Sequence, residues 1–139
     1  MIYSHLFVDS DIILDLLFNR EPFSDYTKIL LAESDIRKIK LSTSTLAIAN
    51  IHYIHSKQTN SAVTRDTLKT IVKIINILPF ESDIVNLALN SPFTDFEDAI
   101  QYHIAERYRC NAIVTRNIKD YKKSTIQVLT PEQFLKTLA

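Results

Sequence analysis

The sequence predicts an α/β fold with three layers, α/β/α, around a central, mostly parallel sheet of about five strands. Short apolar runs alternate with longer stretches carrying helical spacing, and no hairpin turn signal joins any two of the runs. Consecutive strands without hairpins need right-handed crossovers, which place helices on both faces of the sheet. With 46% apolar residues in 139 positions, the chain suits one compact domain over 1–139 with one sizeable core. In sheets of this kind ligands collect outside the carboxyl ends of the strands, so the residues at those ends are the ones to read for chemistry.

Leu6-Phe7-Val8, ending in Asp9, reads as the first buried strand, followed by a short apolar helix from Asp11 to Phe18. Ser24 or Asp25 caps a second helix with Ile29, Leu30, Ala32 and Ile36 on its apolar side. Ile39-Lys40-Leu41 is the next strand, and Ser42, Thr43 and Ser44 supply caps for an apolar helix from Thr45 to His55. A helix over Ala62 to Ile75, a strand over Asn76 to Phe80 and a short helix over Asp83 to Asn90 follow. Thr94 and Glu97 have the spacing of a capping box ahead of the stripe Phe96, Ala99, Ile100, His103 and Ile104. Ala112 to Thr115 and Ile126 to Leu129 are the last strands, and Thr130-Pro131 with Gln133 starts a final helix.

Composition excludes several classes. The chain contains no glycine, so phosphate-cradling loops and dinucleotide fingerprints, which need glycine for close backbone approach, are ruled out. Asn19, Asn60, Asn90 and Asn111 are the natural substitutes where left-handed turns are required. Formal net charge is zero, so any case for nucleic acid rests on local patches. One cysteine, Cys110, allows no internal disulfide and implies a reduced, cytoplasmic setting, where Cys110 is a packing residue. No window approaches the ~20 apolar residues of a bilayer span, and no signal peptide is recognisable, so no membrane association is expected.

The strand ends carry acids. Asp9 and Asp11 follow the first strand, Asp95 and Asp98 open the helix before the fourth, and Thr115, Arg116, Asn117 and Asp120 follow the fourth. Asn50 sits within an otherwise apolar helix. Carboxylates brought together raise one another's pKa, and a divalent cation relieves the repulsion. Carboxylate oxygens with water suit Mg2+ or Mn2+. Metal and carboxylates without a Cys, His or Ser nucleophile arrangement point to metal-activated water attacking a phosphate. Taken singly, each acid has a plainer reading, since acids favour the first turn of a helix through capping and the macrodipole.

Phe7-Val8-Asp9-Ser10-Asp11-Ile12-Ile13-Leu14-Asp15-Leu16-Leu17 resembles the opening motif of PIN-domain proteins. Asp95 to Tyr102 resembles the segment bearing that family's third acid, and Ala112 to Tyr121 the strand and turn bearing its fourth. Val128 to Leu135 is similar to the ending of one PIN subgroup, so the resemblance runs through essentially the whole chain. It implies a PIN-like fold and a metal-dependent, RNA-cleaving nuclease of the VapC-like toxin subgroup, with an antitoxin protein as partner. By position, Asp9 and Asp98 would be metal ligands, Asp95 and Asp120 nearby support, and Thr115 an orienting hydroxyl. Asn50 and Asn117 stand where the family usually places its second and fourth acids.

From Ala105 to Lys123, Arg107, Arg109, Arg116, Lys119, Lys122 and Lys123 face only Glu106 and Asp120. Of these, Arg107, Arg116, Lys119, Lys122 and Lys123 are the candidate RNA phosphate contacts, with Tyr108 and Tyr121 as candidates for base stacking. A plain solvated basic surface is the alternative. His52 and His55 lie three apart on a helix without a third ligand. The opening motif also resembles that of haloacid-dehalogenase-type phosphotransferases, but there the second acid pair follows a strand, whereas Asp95 and Asp98 open a helix. The stronger rival is a PIN-like domain that binds RNA or a partner without cutting. Three or more acids reaching the site favour catalysis, and two favour binding alone. Apolar helices such as Thr45 to His55 suggest a homodimer.

Overall fold

The computed structural model describes residues 2–138. Five strands, β1 (His5–Val8), β2 (Lys40–Ser44), β3 (Asn76–Leu78), β4 (Ala112–Val114) and β5 (Gln127–Leu129), form one parallel sheet in the order β3-β2-β1-β4-β5. The chain winds outward from β1 through β2 to β3, then crosses back to lay β4 on the other side of β1. Winding reverses between β1 and β4, and at such a switch point the connections diverge and leave a crevice at the strands' carboxyl ends. Asp9 and Thr115 are the residues that follow β1 and β4 there.

Alternation along the strands sorts the core into two layers. Leu6, Val8, Ala112 and Val114 face α1 (Ser10–Leu17), α2 (Phe23–Arg37), α3 (Thr45–Gln58), α4 (Ser61–Ile74) and α7 (Pro131–Lys136) through Ile12, Leu30, Ile51, Ile71 and Phe134. Phe7 and Ile113 face α5 (Ser82–Leu89) and α6 (Phe96–Arg107) through Ile84, Ala99, Ile100 and Ile104. Cys110 packs in this second layer, where burial pushes its thiol up to about 12. No described helix is long and apolar enough to cross a membrane.

Several local expectations are corrected. α2 does not bury an Ile-rich side: Ile29 and Ile36 are 48% and 72% exposed. Its buried face is Leu30 with the small residues Ser24, Thr27 and Ser34, which let it approach α1 closely, with Thr27 Oγ1 3.4 Å from the carbonyl of Ile12. β2 continues through Ser42 and Thr43 instead of breaking there. The hydroxyls make this possible, since Ser42 Oγ pairs with His5 Nε2 at 2.6 Å and Ser44 Oγ donates to Gln101 Oε1 at 2.6 Å. The capping box expected from Thr94 and Glu97 does not form. Helix α6 begins at Phe96, capped by Asp95, whose carboxylate accepts from the amide of Asp98. An ionised acceptor at the positive end of the helix dipole outcompetes a threonine hydroxyl.

Left-handed conformations fall at Asn19, Lys38 and Arg109, so of the four asparagines only Asn19 takes that role. Asn60 caps α4 and Asn111 accepts from the amides of Ser4 and His5. Lys38 and Arg109 each bear the cost of about 1 kcal/mol that a Cβ imposes in this region. Both end a helix, where the turn exposes a long side chain.

Candidate functional site at the carboxyl edge of the sheet

Asp9 ends β1 and caps α1, its Oδ1 accepting from the Ser10 amide at 2.7 Å. Its Oδ2 accepts from Thr115 Oγ1 at 3.0 Å and from the Tyr121 hydroxyl at 3.1 Å. These two contacts tie the end of β1 to the end of β4 and to the 3₁₀ turn Ile118–Tyr121 beyond it. In the first turn of α1, Asp11 Oδ2 accepts from the Arg116 amide at 3.3 Å and from Asn117 Nδ2 at 3.2 Å. Its Oδ1 is buried and makes no hydrogen bond. Thr115 Oγ1 lies 3.4 Å from Asp11 as well, so one hydroxyl proton serves two carboxylates.

The acids perturb one another. Burial holds the Asp9 carboxyl above the ordinary range, against hydrogen bonds from Thr115, Ser10 and Tyr121 that pull it down. Asp11 is pushed up to about 7, by burial first and then by the charge of Asp9. Asp98 is also pushed up to about 7, by burial and then by Asp95, Asp9 and Asp120, while the Tyr121 hydroxyl pulls it down. Tyr121 is 1% exposed, and burial, followed by the charges of Asp9 and Asp98, raises its phenol far above the usual value. It therefore stays protonated, a fixed donor between Asp9 and Asp98. This corrects the expectation of an exposed tyrosine for base stacking.

Asp9, Asp98, Asp95, Asp120, Thr115 and Asn117 thus come to one edge. Asn50 reaches the same end of the molecule from α3, donating through Nδ2 to Glu97 Oε2 at 3.3 Å. Glu97 is accordingly an acid beside the position where Asn replaces one. On one flank Lys119, Lys122 and Lys123 line a groove with Asp120, Thr94 and Phe93. On the other flank Arg116 lies with its Nε 2.7 Å from Asp15 Oδ2 and its guanidinium 4.2 Å from the centre of the Phe23 ring.

Arg107 does not join this edge. It ends α6, roughly 13 Å along the axis from Asp98 at ~1.5 Å per residue, and is engaged by Asp83 and Glu81. Tyr108 likewise donates to Glu81 at 2.9 Å. The run of basic residues is continuous in sequence, but the turn at Arg109 and strand β4 carry its two halves to opposite ends of the sheet. His55 is buried, 2.6 Å from Thr64 Oγ1 and stacked on Phe18, and His52 contacts Ser61. Neither is near the acids at the sheet edge.

In the sequence Asp11 stands among the strand-end acids without a ligand role of its own, Tyr121 stands as a base-stacking candidate, and Asp15 is not singled out. Asp11 carries a signal, an acid two residues beyond a strand-ending acid. Asp15 is masked by its place on an apolar helix, and Tyr121 by an exposed-looking basic neighbourhood.

The donor set fits a hard divalent cation. Buried, mutually repelling carboxyls and an orphaned Asp11 oxygen call for positive charge. Among the described residues no three acids, histidines or cysteines close on one point at ligand distance. Divalent magnesium commonly takes one or two carboxylates and keeps several waters.

The chain is thus a parallel α/β domain whose switch point gathers carboxylates beside a basic flank. The PIN-domain family profile matches residues 5–119, and the chain belongs to that family. It is 33% identical over 138 residues to ribonuclease VapC1 of Aquifex aeolicus, covering 93% of this chain and 92% of that protein. The fold matches a chain of a toxin–antitoxin complex from Klebsiella pneumoniae with a TM-score of 0.68 and 26% identity, over 92% of this chain and 98% of the other. It also matches FitAcB from Neisseria gonorrhoeae with a TM-score of 0.72 over 91% and 98% of the two chains, at 13% identity.

Proposed function

We propose that this protein is a divalent-metal-dependent endoribonuclease that hydrolyses RNA phosphodiesters, acting as the toxin of a cytoplasmic toxin–antitoxin pair. The observation that carries the reading is the gathering of Asp9, Asp11 and Asp98 at the carboxyl edge of the sheet, where Asp9 accepts from Thr115 and Tyr121 and its charge raises the carboxyls of the other two. Asp9 and Asp98 would hold Mg2+ or Mn2+. The bound ion would lower the pKa of a coordinated water so that it can attack the phosphate near neutral pH. Asp95 and Asp120 deepen the negative field felt at Asp98 and so favour a cation there over two protons. Thr115 and Tyr121 hold the Asp9 oxygens in place, and the amides of Asn117 and Asn50 tether Asp11 and Glu97.

Lys119, Lys122 and Lys123 on one side of the acids would take the phosphates of a single strand laid across the edge, and Arg116 would contact the same RNA from the other side. Exposed apolar side chains on α3, α4 and α5, among them Tyr53, Val72, Leu87 and Leu89, leave surface for an antitoxin protein and a second copy of the chain.

The competing reading is a domain that binds RNA or a partner without cutting, and Asn50 and Asn117 favour it because neither brings charge. Three acids, Asp9, Asp11 and Asp98, perturb one another at the edge, which supports catalysis. Metal titration with an RNA cleavage assay, comparing wild type with Asp9→Asn and Asp98→Asn, separates the two. Cleavage that needs Mg2+ or Mn2+ and falls at least a hundredfold in both variants supports the nuclease. No cleavage of any RNA in a broad panel supports the binding module.

A further inference from the structure

We propose that the pocket beside Arg116 is a subsite for one unpaired guanine of the RNA strand, next to the bond that is cut; this rests on the ribonuclease reading above. A cavity of about 220 Å³ opens between the start of α2, the turn after β4 and the start of α7, lined by Phe23, Tyr26, Arg116, Asn117, Pro131 and Glu132 among others. It is smaller than the ~300 Å³ at which pockets for drug-sized ligands begin and has room for a single ring system. Two aromatic side chains and a proline supply flat apolar surface. Stacking on such surfaces is how proteins hold bases that are out of a helix.

The pocket is coupled to the acids through one residue. Asn117 lines the cavity and donates to Asp11, and Arg116 follows Thr115 directly. A base seated here therefore belongs to a nucleotide adjoining the phosphate at Asp9. The polar lining is selective. Asp15, fully buried, fixes the root of the Arg116 guanidinium, and the Phe23 ring lies against the group, so a planar donor is held on the wall before any ligand arrives. Glu132 supplies an exposed carboxylate whose protein contact is Lys136 Nζ at 3.6 Å, itself exposed.

Guanine is the base that offers acceptors at O6 and N7 for a guanidinium and adjacent donors at N1 and N2 for a carboxylate. Adenine presents a donor at N6 and no pair of donors on its Watson–Crick edge. Asp15 pairs with both Arg20 and Arg116, and the second of these contacts fixes the wall of the pocket.

The test uses the whole protein with Mn2+ and short single-stranded RNAs of otherwise uniform uridine. Guanosine, inosine, adenosine or an abasic site is placed in turn at each position beside the mapped cut. At one of those positions guanosine should exceed adenosine in kcat/KM at least tenfold, inosine should fall between them, and the abasic substrate should lose at least tenfold. Glu132→Gln, a change on the exposed face of α7, should narrow the guanosine-to-adenosine ratio to under threefold. Cleavage by the wild type that is indifferent to base or abasic site overturns the subsite, leaves the nuclease standing, and frees the pocket for a protein segment. An unchanged ratio in Glu132→Gln overturns the guanine assignment. If the wild type cleaves none of these RNAs nor any in the broad panel, the ribonuclease reading fails and the subsite with it.

Discussion

The mutual strain of the acids makes metal-free protein less stable as pH rises, and Asp11 sets the scale. Its carboxyl titrates at 3.8 in an exposed setting and at about 7 here. Between those values the native state holds a proton that the unfolded chain has released, so stability falls as pH climbs through this window. At about 1.36 kcal/mol per pH unit, the full interval gives a ceiling of ~4 kcal/mol. Asp98 and Asp9 act in the same direction, Asp98 more weakly because water screens a half-exposed group. His5 opposes them: burial and Lys40 lower its pKa, which favours the folded state as pH rises past the ordinary histidine range.

For a chain of this size each kcal/mol moves Tm by roughly 3 °C, so a net fall of 5 °C or more from pH 5 to pH 8 in EDTA is expected. Millimolar Mg2+ should restore most of it at pH 8 and little at pH 5, since the ion competes with the same protons. Asp11→Asn should flatten the EDTA profile and raise Tm at pH 8. Circular dichroism melts of wild type and variant at four pH values suffice. A wild-type Tm that is flat or rises with pH in EDTA, or a profile unchanged by Asp11→Asn, would refute the account of repelling buried carboxyls.

Three further outcomes follow from the same contacts. Tyr121→Phe deletes the donor that lowers both Asp9 and Asp98, so the midpoint of the acidic limb of the pH–rate profile should move upward; stability in urea should fall by ~1–3 kcal/mol. Asp15→Ala removes the partner of Arg116 and Arg20, both paired to it and both reachable by water, so the loss should be ~1–3 kcal/mol, again read in urea. Arg107→Gln breaks contacts only with Asp83 and Glu81, so RNA binding measured by fluorescence anisotropy should change less than twofold. Lys119→Gln, at the acid edge, should weaken binding severalfold and reduce its salt dependence.

The layers of this fold were legible because its strands are short, apolar and separated by helices, a pattern that admits few connections. What the sequence concealed lies where polar residues do the packing. Ser42 and Thr43 read as a loop, yet they form the middle of a buried strand: the Ser42 hydroxyl is paired with His5 on β1, while Thr43 is buried with its hydroxyl unpartnered. Helix α2 shows the same effect, its buried face being serine and threonine around a single Leu30 while isoleucines face outward. Hydrophobic periodicity assumes that burial selects apolar side chains, and it misleads wherever close approach of two backbones selects small ones.

The acids at the edge show a different limit. Asp9 and Asp98 could be named from the sequence because each stands at the end of a recognisable element, but the hydroxyl that tempers both is that of Tyr121, a residue with no pattern around it. Asn117 reads in sequence as a missing acid. In the structure its amide donates to Asp11, so the negative charge of that corner is carried across the crevice from β4 to α1. Asn50 is the counterpart on the opposite side, where its amide meets Glu97. In both places an asparagine standing where an acid is usual holds another carboxylate by its amide. A divalent cation responds to total charge and to available oxygens rather than to the element that supplies them, and counting acids at aligned positions therefore understates what this edge can bind.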